Sequence, residues 1–450
     1  MSPTPTAPSL TARARALAKA GDLTGAARII GGLLKARFGF DATDIRINVD
    51  IYSLNSLNGF FSVSDSPYFF KFHQEENEAA MAGEYYRAGL LAEAGLPVDQ
   101  PLHVSSEPGQ QILVYRRRRD RRFADVLTEL DFSTDNGAIT RAVAAETRLN
   151  EALIEVYLRT MHPIDAAQSA AEPIHRLFHA RLVDAGNPAM IAGRFASFYR
   201  DRIFEFPGLT LSWDELRHLR FVVNGVCYRD TLDMLFNAAF AKLASAAFAG
   251  SGGVTAHGDA HNANVWCEDR ADSAHLVMFD PAFAGRHVPA LLAEIKTTFH
   301  NIFAHPLWLY DPPAAARRYH ATARRRGGTL YIDTDWHPSP LRWALLEVKC
   351  DTLWRPLLAE LAARRLLPPD WRRLMQLALF LCPTLVMNLR AGNGAHNPTT
   401  AAIGFATAIA MGSDPVTGTG LLSPFLARLT QGQLTQGQLT QGLGSHPARP

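Results

Sequence analysis

The amino-acid sequence predicts an α+β fold with two lobes, a small lobe built on an antiparallel sheet and a larger, mostly helical lobe. Three observations predict it. The chain has 450 residues, more than one hydrophobic core usually organises. Strand-like alternation is concentrated between about residues 44 and 115. Helical periodicity dominates from about residue 123 onward.

Residues 1–40 are expected to form a helical extension. Asp22 precedes the run LTGAARIIGGLLKARFG, whose periodicity and final glycine predict a helix with Asp22 as its N-cap. The first segment, MSPTPTAPSLTARARALAKAG, is basic, free of acids and rich in Ser and Thr, and it weakly resembles an organelle transit peptide. We favour the alternative, a disordered tip followed by a surface helix.

Residues 41–115 are predicted to form the small lobe. The runs IRINVDIYSL, GFFSVS and YFFKFH have strand-like alternation, and LNSLNG and SDSP between them supply turn residues. The segment ENEAAMAGEYYRAGLLAEAG then predicts a helix ending at a glycine, and QQILVYR predicts another strand. A sheet of five strands with one helix is therefore expected.

Residues 116–425 are predicted to form the larger lobe. Helical segments include ETRLNEALIEVYLRTMH, TLDMLFNAAFAKLASAAFAG, PALLAEIKTTFHNIF and ALLEVKCDTLWRPLLAELAARRLL. Between residues 254 and 285 two strand candidates, NVWCE and HLVMFD, interrupt this pattern. Residues 426–450 contain a five-residue repeat rich in Gly and Gln, which predicts a disordered tail without chemistry.

Composition excludes several classes of partner. With 47% hydrophobic and 20% charged residues and a formal net charge of +2, the chain has no general attraction to nucleic acid or membranes. No apolar run approaches membrane-spanning length. The four cysteines are scattered without a CxxC pair, which favours a reduced, cytoplasmic setting. Oligomeric state is left open.

The loop AHGDAHNANVW, residues 256–266, concentrates polar side chains and has two interpretations. In the first, His257, Asp259 and His261 bind zinc or a two-metal centre of a phosphohydrolase. That class needs further spaced Asp and His ligands, and the sequence shows neither an upstream D-x-H nor a downstream GNH. The metal interpretation therefore rests on a partial motif.

The second interpretation is phosphoryl transfer. Asp259 and Asn264 stand five residues apart, the spacing of a kinase catalytic loop in which the Asp is the base and the Asn binds Mg²⁺. Sixteen residues after Asn264, an apolar run ends at Asp280, where a second metal-binding Asp belongs. No G-x-x-x-x-G-K-[ST] motif is present, so a P-loop enzyme is excluded.

HGDAHNANVW followed by VMFDPAFAG resembles the aminoglycoside phosphotransferase and choline kinase family. Its members are ATP-dependent small-molecule kinases with a protein-kinase-like two-lobed fold. The DPAF variant is similar to that of fructosamine kinases and leaves the acceptor open. The resemblance implies that Asp259 is the catalytic base, that Asn264 and Asp280 bind Mg²⁺, and that ATP is the phosphoryl donor.

The resemblance also assigns residues of the small lobe that bind the nucleotide. Lys71 in YFFKFH would hold the phosphates, and Glu84, chosen for its position before AGLPV, would pair with it; a solvated helix carboxylate is the alternative for Glu84. Asn58 matches the Asn of the turn that covers the nucleotide. Gly59 supplies a weak phosphate cradle, because Asn55 and Ser56 stand where the family has glycines.

The segment VYRRRRDRRF, residues 114–123, falls where the hinge between lobes is expected. Backbone from Tyr115 to Arg117 would contact adenine, and the arginines could attract an anionic ligand. A solvated charge run is the alternative interpretation.

Several histidines are ranked lower as site residues. His257 is expected to support the catalytic loop by hydrogen bonds, and His261 to reach the nucleotide or metal site. His300 and His305, beside aromatic residues, are expected to be core or interface residues.

The predicted reaction is ATP-dependent phosphorylation of a hydroxyl on a small molecule such as a sugar, an amino alcohol or a related metabolite. Acids and bases are nearly balanced between residues 150 and 250, which disfavours polycationic aminoglycosides. A metal-dependent phosphohydrolase and a nucleotide-binding protein without catalysis remain alternatives.

Overall fold

The computed structural model describes residues 9–48, 56–73, 87–107, 109–270, 273–392 and 396–430. It confirms the predicted α+β architecture. A five-stranded antiparallel sheet forms the small lobe, and the larger lobe combines most of the helices with smaller sheets of two to four strands.

The described strands are numbered in chain order. They are β1 (Thr43–Ile47), β2 (Ser56–Val63), β3 (Ser66–His73), β4 (His103–Ser105), β5 (Ile112–Arg116), β6 (Arg121–Arg122), β7 (His162–Pro163), β8 (Ile203–Phe206), β9 (Leu209–Ser212), β10 (Arg220–Val223), β11 (Val226–Cys227), β12 (Gly252–Ala256), β13 (Val265–Arg270), β14 (Ser273–Met278), β15 (Gly285–Pro289), β16 (Ala321–Arg326) and β17 (Thr329–Thr334).

The described α-helices are numbered in the same way. They are α1 (Leu10–Lys19), α2 (Leu23–Phe38), α3 (Arg87–Glu93), α4 (Phe123–Leu130), α5 (Asn136–Thr160), α6 (Ala166–Ala171), α7 (Gly193–Phe198), α8 (Trp213–Leu216), α9 (Leu232–Lys242), α10 (Ala290–Ala293), α11 (Ile295–Thr298), α12 (Pro312–Arg318), α13 (Pro340–Lys349), α14 (Arg355–Ala363), α15 (Trp371–Val386), α16 (Pro398–Gly412) and α17 (Ser423–Thr430).

The sheet of the small lobe has the strand order β1-β2-β3-β5-β4, with every neighbouring pair antiparallel. Its register places Asn58 opposite Lys71 and Phe69 opposite Tyr115. The prediction that LNSLNG forms a turn is wrong for its last four residues, because residues 56–59 already belong to β2. Leu57 and Phe61 are both buried, so the alternation of buried and less buried side chains extends through this segment. Residues 56–59 also pair with β3, which makes them part of the strand.

The N-terminal helices are part of the core of the small lobe. Ala14 of α1 and Ile30 and Leu33 of α2 pack in one cluster with Phe61 and Phe70 of the sheet. The N-cap prediction for α2 is confirmed, since the Asp22 carboxylate accepts a hydrogen bond from the Gly25 N–H at 2.8 Å. The preceding helix, α1, was expected to lie on the surface, but its residues Thr11 and Ala14 are buried.

One large apolar core fills the second lobe, where helices α5, α15 and α16 bury long stretches of side chain. Two buried ion pairs cross this core. Arg342 contacts Asp131 at 2.8 Å, and Lys349 contacts Glu294 at 2.8 Å. Such pairs fix how the helices meet, because removing one partner leaves an uncompensated buried charge.

The segment that carries the polar loop is a strand, a loop and a hairpin. Strand β12 is buried along its whole length and pairs with β15 and β7. After the loop, β13 and β14 form the predicted hairpin, which leads to Asp280. The predicted helix PALLAEIKTTFHNIF is broken into α10, α11 and a π-helical turn over Phe299–Phe303. Within the described ranges, no helix combines the length and apolar character that crossing a bilayer requires.

Candidate active site

Two residues at the start of the loop fix its path. His257 Nε2 lies 2.9 Å from the Phe279 carbonyl oxygen, and its Nδ1 accepts the Asp259 N–H at 3.2 Å. Burial lowers the pKa of His257, so the imidazole is neutral, with its proton on Nε2. This supporting role agrees with the sequence expectation. With both ring nitrogens used, His257 is not available as a metal ligand, which argues against the phosphohydrolase interpretation.

Gly258 holds a left-handed conformation, with φ of +77°, and a Cβ there would lie 2.9 Å from the Phe283 carbonyl oxygen. We expect Gly258→Ala to lower the free energy of unfolding by about 2–4 kcal/mol, combining a left-handed backbone with overpacking. Gly39→Ala is the matched control, since Gly39 has φ of +71° with no atom within 4 Å of its Cβ position. Urea unfolding of both variants measures the difference. Equal destabilisation would contradict the close packing at Gly258.

Asp259 and Asn264 are brought together at the two ends of the loop. The Asn264 side-chain amide donates to the backbone carbonyl of Asp259 at 2.9 Å, which leaves its side-chain oxygen as a candidate metal ligand. The Asp259 side chain is buried and lies 2.5 Å from Lys296 Nζ. His261 Nε2 lies 3.7 Å from the same Asp259 oxygen, and burial lowers the pKa of His261 to about 4.

Lys71 and Asp280 meet across the two lobes. Lys71 Nζ forms an ion pair with Asp280 Oδ1, with side chains that are 11% and 31% exposed. Asp280 follows the hairpin in a left-handed conformation, with φ of +58°. The strand lysine and the second Asp predicted from the motifs therefore share one site.

A cavity of about 300 Å³ lies beside this ion pair, between the lobes. Its aromatic walls come from both sides. Phe69 packs on Phe60 and Tyr115 at centroid distances of 5.5 and 6.2 Å, and Trp266 stacks on Phe279 at 4.3 Å. The remaining lining residues are polar or charged, except Ala263: Asn48, Asn58, Lys71, Asp99, Arg116, Arg117, Arg118, Arg122, Asn264 and Asp280. A slot of this kind can hold a flat ring at one end and phosphates at the other.

The arginine run is divided between structure and cavity. Arg118 pairs with Asp99 at 3.1 Å and with Glu268 at 2.7 Å, joining the two lobes. Burial lowers the pKa of Arg118, but the hydrogen bonds to Asp99 and Glu268 outweigh this effect and raise the pKa above its ordinary value. Arg117 lies over the Phe60 ring at 4.5 Å, in the cavity wall. Arg116, Arg117, Arg119 and Arg121 are exposed, so part of the run is a solvated face, and attraction of an anionic ligand stays a prediction.

The hinge geometry differs in one respect from the expectation for adenine. The backbone N–H of Arg117 donates to the Pro67 carbonyl at 3.1 Å and is therefore occupied. Tyr115 and Arg116 line the cavity, and contact of their backbone with adenine stays a prediction.

Of two further residues predicted to bind the nucleotide, one lies away from the cavity and the other lies outside the described residues. Gly59 lies within β2 opposite Phe70, and a Cβ there would meet the Arg46 carbonyl oxygen at 2.1 Å, so close packing of the sheet explains the glycine. Gly59 is not among the residues that line the cavity. Glu84 and Asn55 lie outside the described residues. The roles given to Gly59 and Glu84 stay predictions.

Sequence reasoning missed Lys296, Trp266 and Phe279. Lys296 is a lone lysine in the apolar segment LLAEIKTTF, where a charge inside an otherwise buried helix is a recognisable signal. Trp266 lies two residues after Asn264, and Phe279 immediately precedes Asp280. Their side chains become neighbours only through the β13–β14 pairing.

In the part of the chain that the structure describes, no group of three or more His, Cys, Asp or Glu is arranged to hold a metal ion.

Comparisons with known proteins give similarity to solved structures only. No family model and no curated protein matches the chain. An apo thermostable mutant of an aminoglycoside phosphotransferase is 12% identical, with a TM-score of 0.42, over 84% of this chain and 97% of that chain. A spectinomycin phosphotransferase in complex with ADP and spectinomycin is 12% identical, with a TM-score of 0.38, over 85% and 98% of the two chains.

A microcompartment-associated aminopropanol kinase is also 12% identical, with a TM-score of 0.37, over 85% of this chain and 95% of that chain.

Proposed function

We propose that the protein is an ATP-dependent phosphotransferase that phosphorylates a hydroxyl group of a small molecule. The observation that carries the proposal is the convergence of Lys71, Asn264 and Asp280 at one cavity between the lobes, with Asp259 joined to Asn264 through its backbone carbonyl. These residues come from three separate segments, and each has the chemistry that phosphoryl transfer requires.

The residues fit Mg-ATP. Aromatic side chains on both walls suit the adenine ring, and Lys71 supplies a cation for the phosphates. The carboxylate of Asp280 and the side-chain oxygen of Asn264 are oxygen ligands of the type that Mg²⁺ prefers. Bound Mg²⁺ would neutralise charge on the phosphates, and bound ATP would supply the phosphoryl group.

The proposed reaction transfers the γ-phosphoryl group of ATP to the acceptor hydroxyl. Asp259 accepts the proton of the acceptor hydroxyl as the hydroxyl oxygen forms its bond to the γ-phosphorus. The bond between that phosphorus and the oxygen bridging to the β-phosphate breaks, and ADP leaves with the bond's electron pair. Asn264 fixes the Asp259 backbone, and His257 fixes the loop that carries both. Catalysis of this kind depends on positioning and charge, so few side chains are needed.

Mg-ATP should raise the melting temperature, because a ligand that binds only the folded state stabilises it, by about 2.7 kcal/mol at a hundred times its Kd. Lys71→Met should shrink that increase, since the phosphates lose their cation. Lys242→Met is the matched control, because Lys242 pairs with Asp370 on the surface. Thermal denaturation with and without millimolar nucleotide measures both. An unchanged melting curve with Mg-ATP and also with Mg-GTP would contradict nucleotide binding.

The acceptor is best found by screening a metabolite library for ADP formation from Mg-ATP. Turnover that needs both a hydroxyl compound and Mg-ATP supports the transferase. Release of phosphate from phosphoesters in the absence of ATP would favour the phosphohydrolase instead.

A further inference from the structure

A buried cation lies against the predicted catalytic base. Lys296 is on α11, and its Nζ is 2.5 Å from Asp259 Oδ1, with side chains that are 8% and 9% exposed. His261 Nε2 lies 3.7 Å from the same oxygen. Among the described residues, Asp259 Oδ2 has no ion-pair or hydrogen-bond partner. The ammonium therefore holds one oxygen of the carboxylate and leaves the other uncommitted.

A second residue of the same segment holds the backbone of the loop. Asn301 lies in the π-helical turn Phe299–Phe303, and its Oδ1 accepts a hydrogen bond from the Asn262 N–H at 2.8 Å. Both residues are buried. Turns of this kind are rare and occur frequently at functional sites. Segment 290–303, which spans α10, α11 and this turn, therefore contacts both a side chain and the backbone of the loop.

Two buried ion pairs of α13 hold segment 290–303 in place. Lys349 Nζ donates to Glu294 Oε2 at 2.8 Å, directly before α11. Arg342, which pairs with Asp131, donates through Nη1 to the Asn301 carbonyl oxygen at 2.6 Å. A shift of the segment would break these contacts and leave buried charges uncompensated, so its side chains are presented from a rigid base.

Stability alone does not account for the pair of Lys296 and Asp259. Replacing a buried ion pair by apolar side chains of similar volume is often neutral or stabilising, because each charge loses its solvation. An apolar pair cannot hold a carboxylate in one orientation inside a site. Holding a reacting group close to its attack geometry lowers the barrier, because the entropy cost of aligning the group has already been met.

We infer that Lys296 and Asn301 are positioning residues, with Lys296 directing Asp259 Oδ2 toward the acceptor hydroxyl and Asn301 fixing the loop that carries it. The inference rests on the proposed phosphotransferase function and deepens it. Neither Lys296 nor Asn301 lines the nucleotide cavity, so both act on transfer and not on nucleotide binding.

Lys296→Met should lower kcat for Mg-ATP hydrolysis, with water as the acceptor, by about 10²-fold, while KM for Mg-ATP changes by less than about threefold. Radiolabelled ATP keeps the slow rates measurable. Lys242→Met, on the surface, should behave like the native protein. The Mg-ATP shift in melting temperature should persist in each variant and serves as the test of folding. If Lys296→Met does not fold, Lys296→Gln takes its place.

The double variant that combines Lys296→Met with Asp259→Asn distinguishes positioning from a structural role. Because Lys296 acts through the Asp259 carboxylate, adding Lys296→Met to Asp259→Asn should cost less than about threefold in kcat. A structural role would instead lower kcat by the same factor in the native and in the Asp259→Asn background.

Asn301→Ala should lower kcat by about tenfold with KM for Mg-ATP unchanged, because the loop backbone loses its hydrogen-bond acceptor. Asn301→Asp keeps an oxygen for the Asn262 N–H and should recover kcat to within about threefold of the native value. If Asn301→Ala does not fold, Asn301→Leu, which fills the volume without an acceptor, takes its place.

Three results would overturn the role of Lys296 while leaving the phosphotransferase intact: full turnover in Lys296→Met, equal losses in the native and Asp259→Asn backgrounds, or a KM for Mg-ATP that rises as much as kcat falls. Equal turnover in Asn301→Ala and Asn301→Asp would overturn the role of Asn301. Absence of any Mg-nucleotide binding is a separate failure, because it would overturn the proposed function and this inference with it.

Discussion

Replacing Asp259 with asparagine should lower phosphoryl transfer by about 10²- to 10⁴-fold while leaving Mg-ATP binding almost unchanged. The carboxylate is buried at the end of the loop, 2.5 Å from Lys296, and is not among the residues that line the nucleotide cavity. An amide of the same shape cannot take the hydroxyl proton, and it also loses the attraction to the ammonium. The nucleotide contacts stay as they are.

Asn264→Ala distinguishes the proposed role of a metal ligand from the proposed role of the catalytic base. It removes a candidate Mg²⁺ ligand and the bond to the Asp259 carbonyl, so excess Mg²⁺ or Mn²⁺ should partly restore its turnover. No metal concentration should restore Asp259→Asn. Asp269→Asn, an exposed aspartate on β13, is the matched control. The measurement is ATP turnover of both variants over a range of Mg²⁺ and Mn²⁺ concentrations. Equal rescue of both variants, or full turnover in Asp259→Asn, would mean that the roles within the loop are wrongly assigned.

The parts of the fold predicted from sequence are those dictated by local pattern. Period-two alternation predicted the main strands of the small lobe, and Asp22 with Gly39 predicted the ends of α2. The missed parts depend on distant contacts. Strands β10 and β17 pair in parallel although about a hundred residues separate them, and short strands of this kind have no local signature.

The same division applies to the candidate site. Asp259, Asn264, Asp280 and Lys71 were identifiable as candidates because phosphoryl transfer requires these residue types and because spacing within one loop is visible in the sequence. Lys296 was not, since its approach to Asp259 depends on how α11 packs under the loop. Gly59 is a different case, because its predicted role stays untested while the fold supplies a separate reason for the glycine. A glycine expected at a phosphate is explained by the close approach of Arg46 across the sheet.

The position of Asp280 makes its carboxylate both a metal ligand candidate and the partner of Lys71. Its φ of +58° places it in the left-handed region, which asparagine and aspartate tolerate better than alanine does. Asparagine is therefore the informative replacement, because it keeps the backbone conformation and removes only the charge. Alanine would add backbone strain to the loss of the carboxylate and confuse the two effects.

Asp280→Asn should reduce ATP turnover by about 10³-fold or more, since the site loses the negative charge that is proposed to bind Mg²⁺ and that pairs with Lys71. The free energy of unfolding should change by less than about 1 kcal/mol, because the side chain is 31% exposed and faces the cavity. Asp65→Asn is the matched control, as Asp65 is an exposed aspartate with φ of +65° in the turn between β2 and β3. Turnover is followed over a range of Mg²⁺ and Mn²⁺ concentrations, with urea unfolding in parallel. If Asp280→Asn keeps the native rate at low Mg²⁺, then Asp280 is not a metal ligand, and its pairing with Lys71 is structural alone.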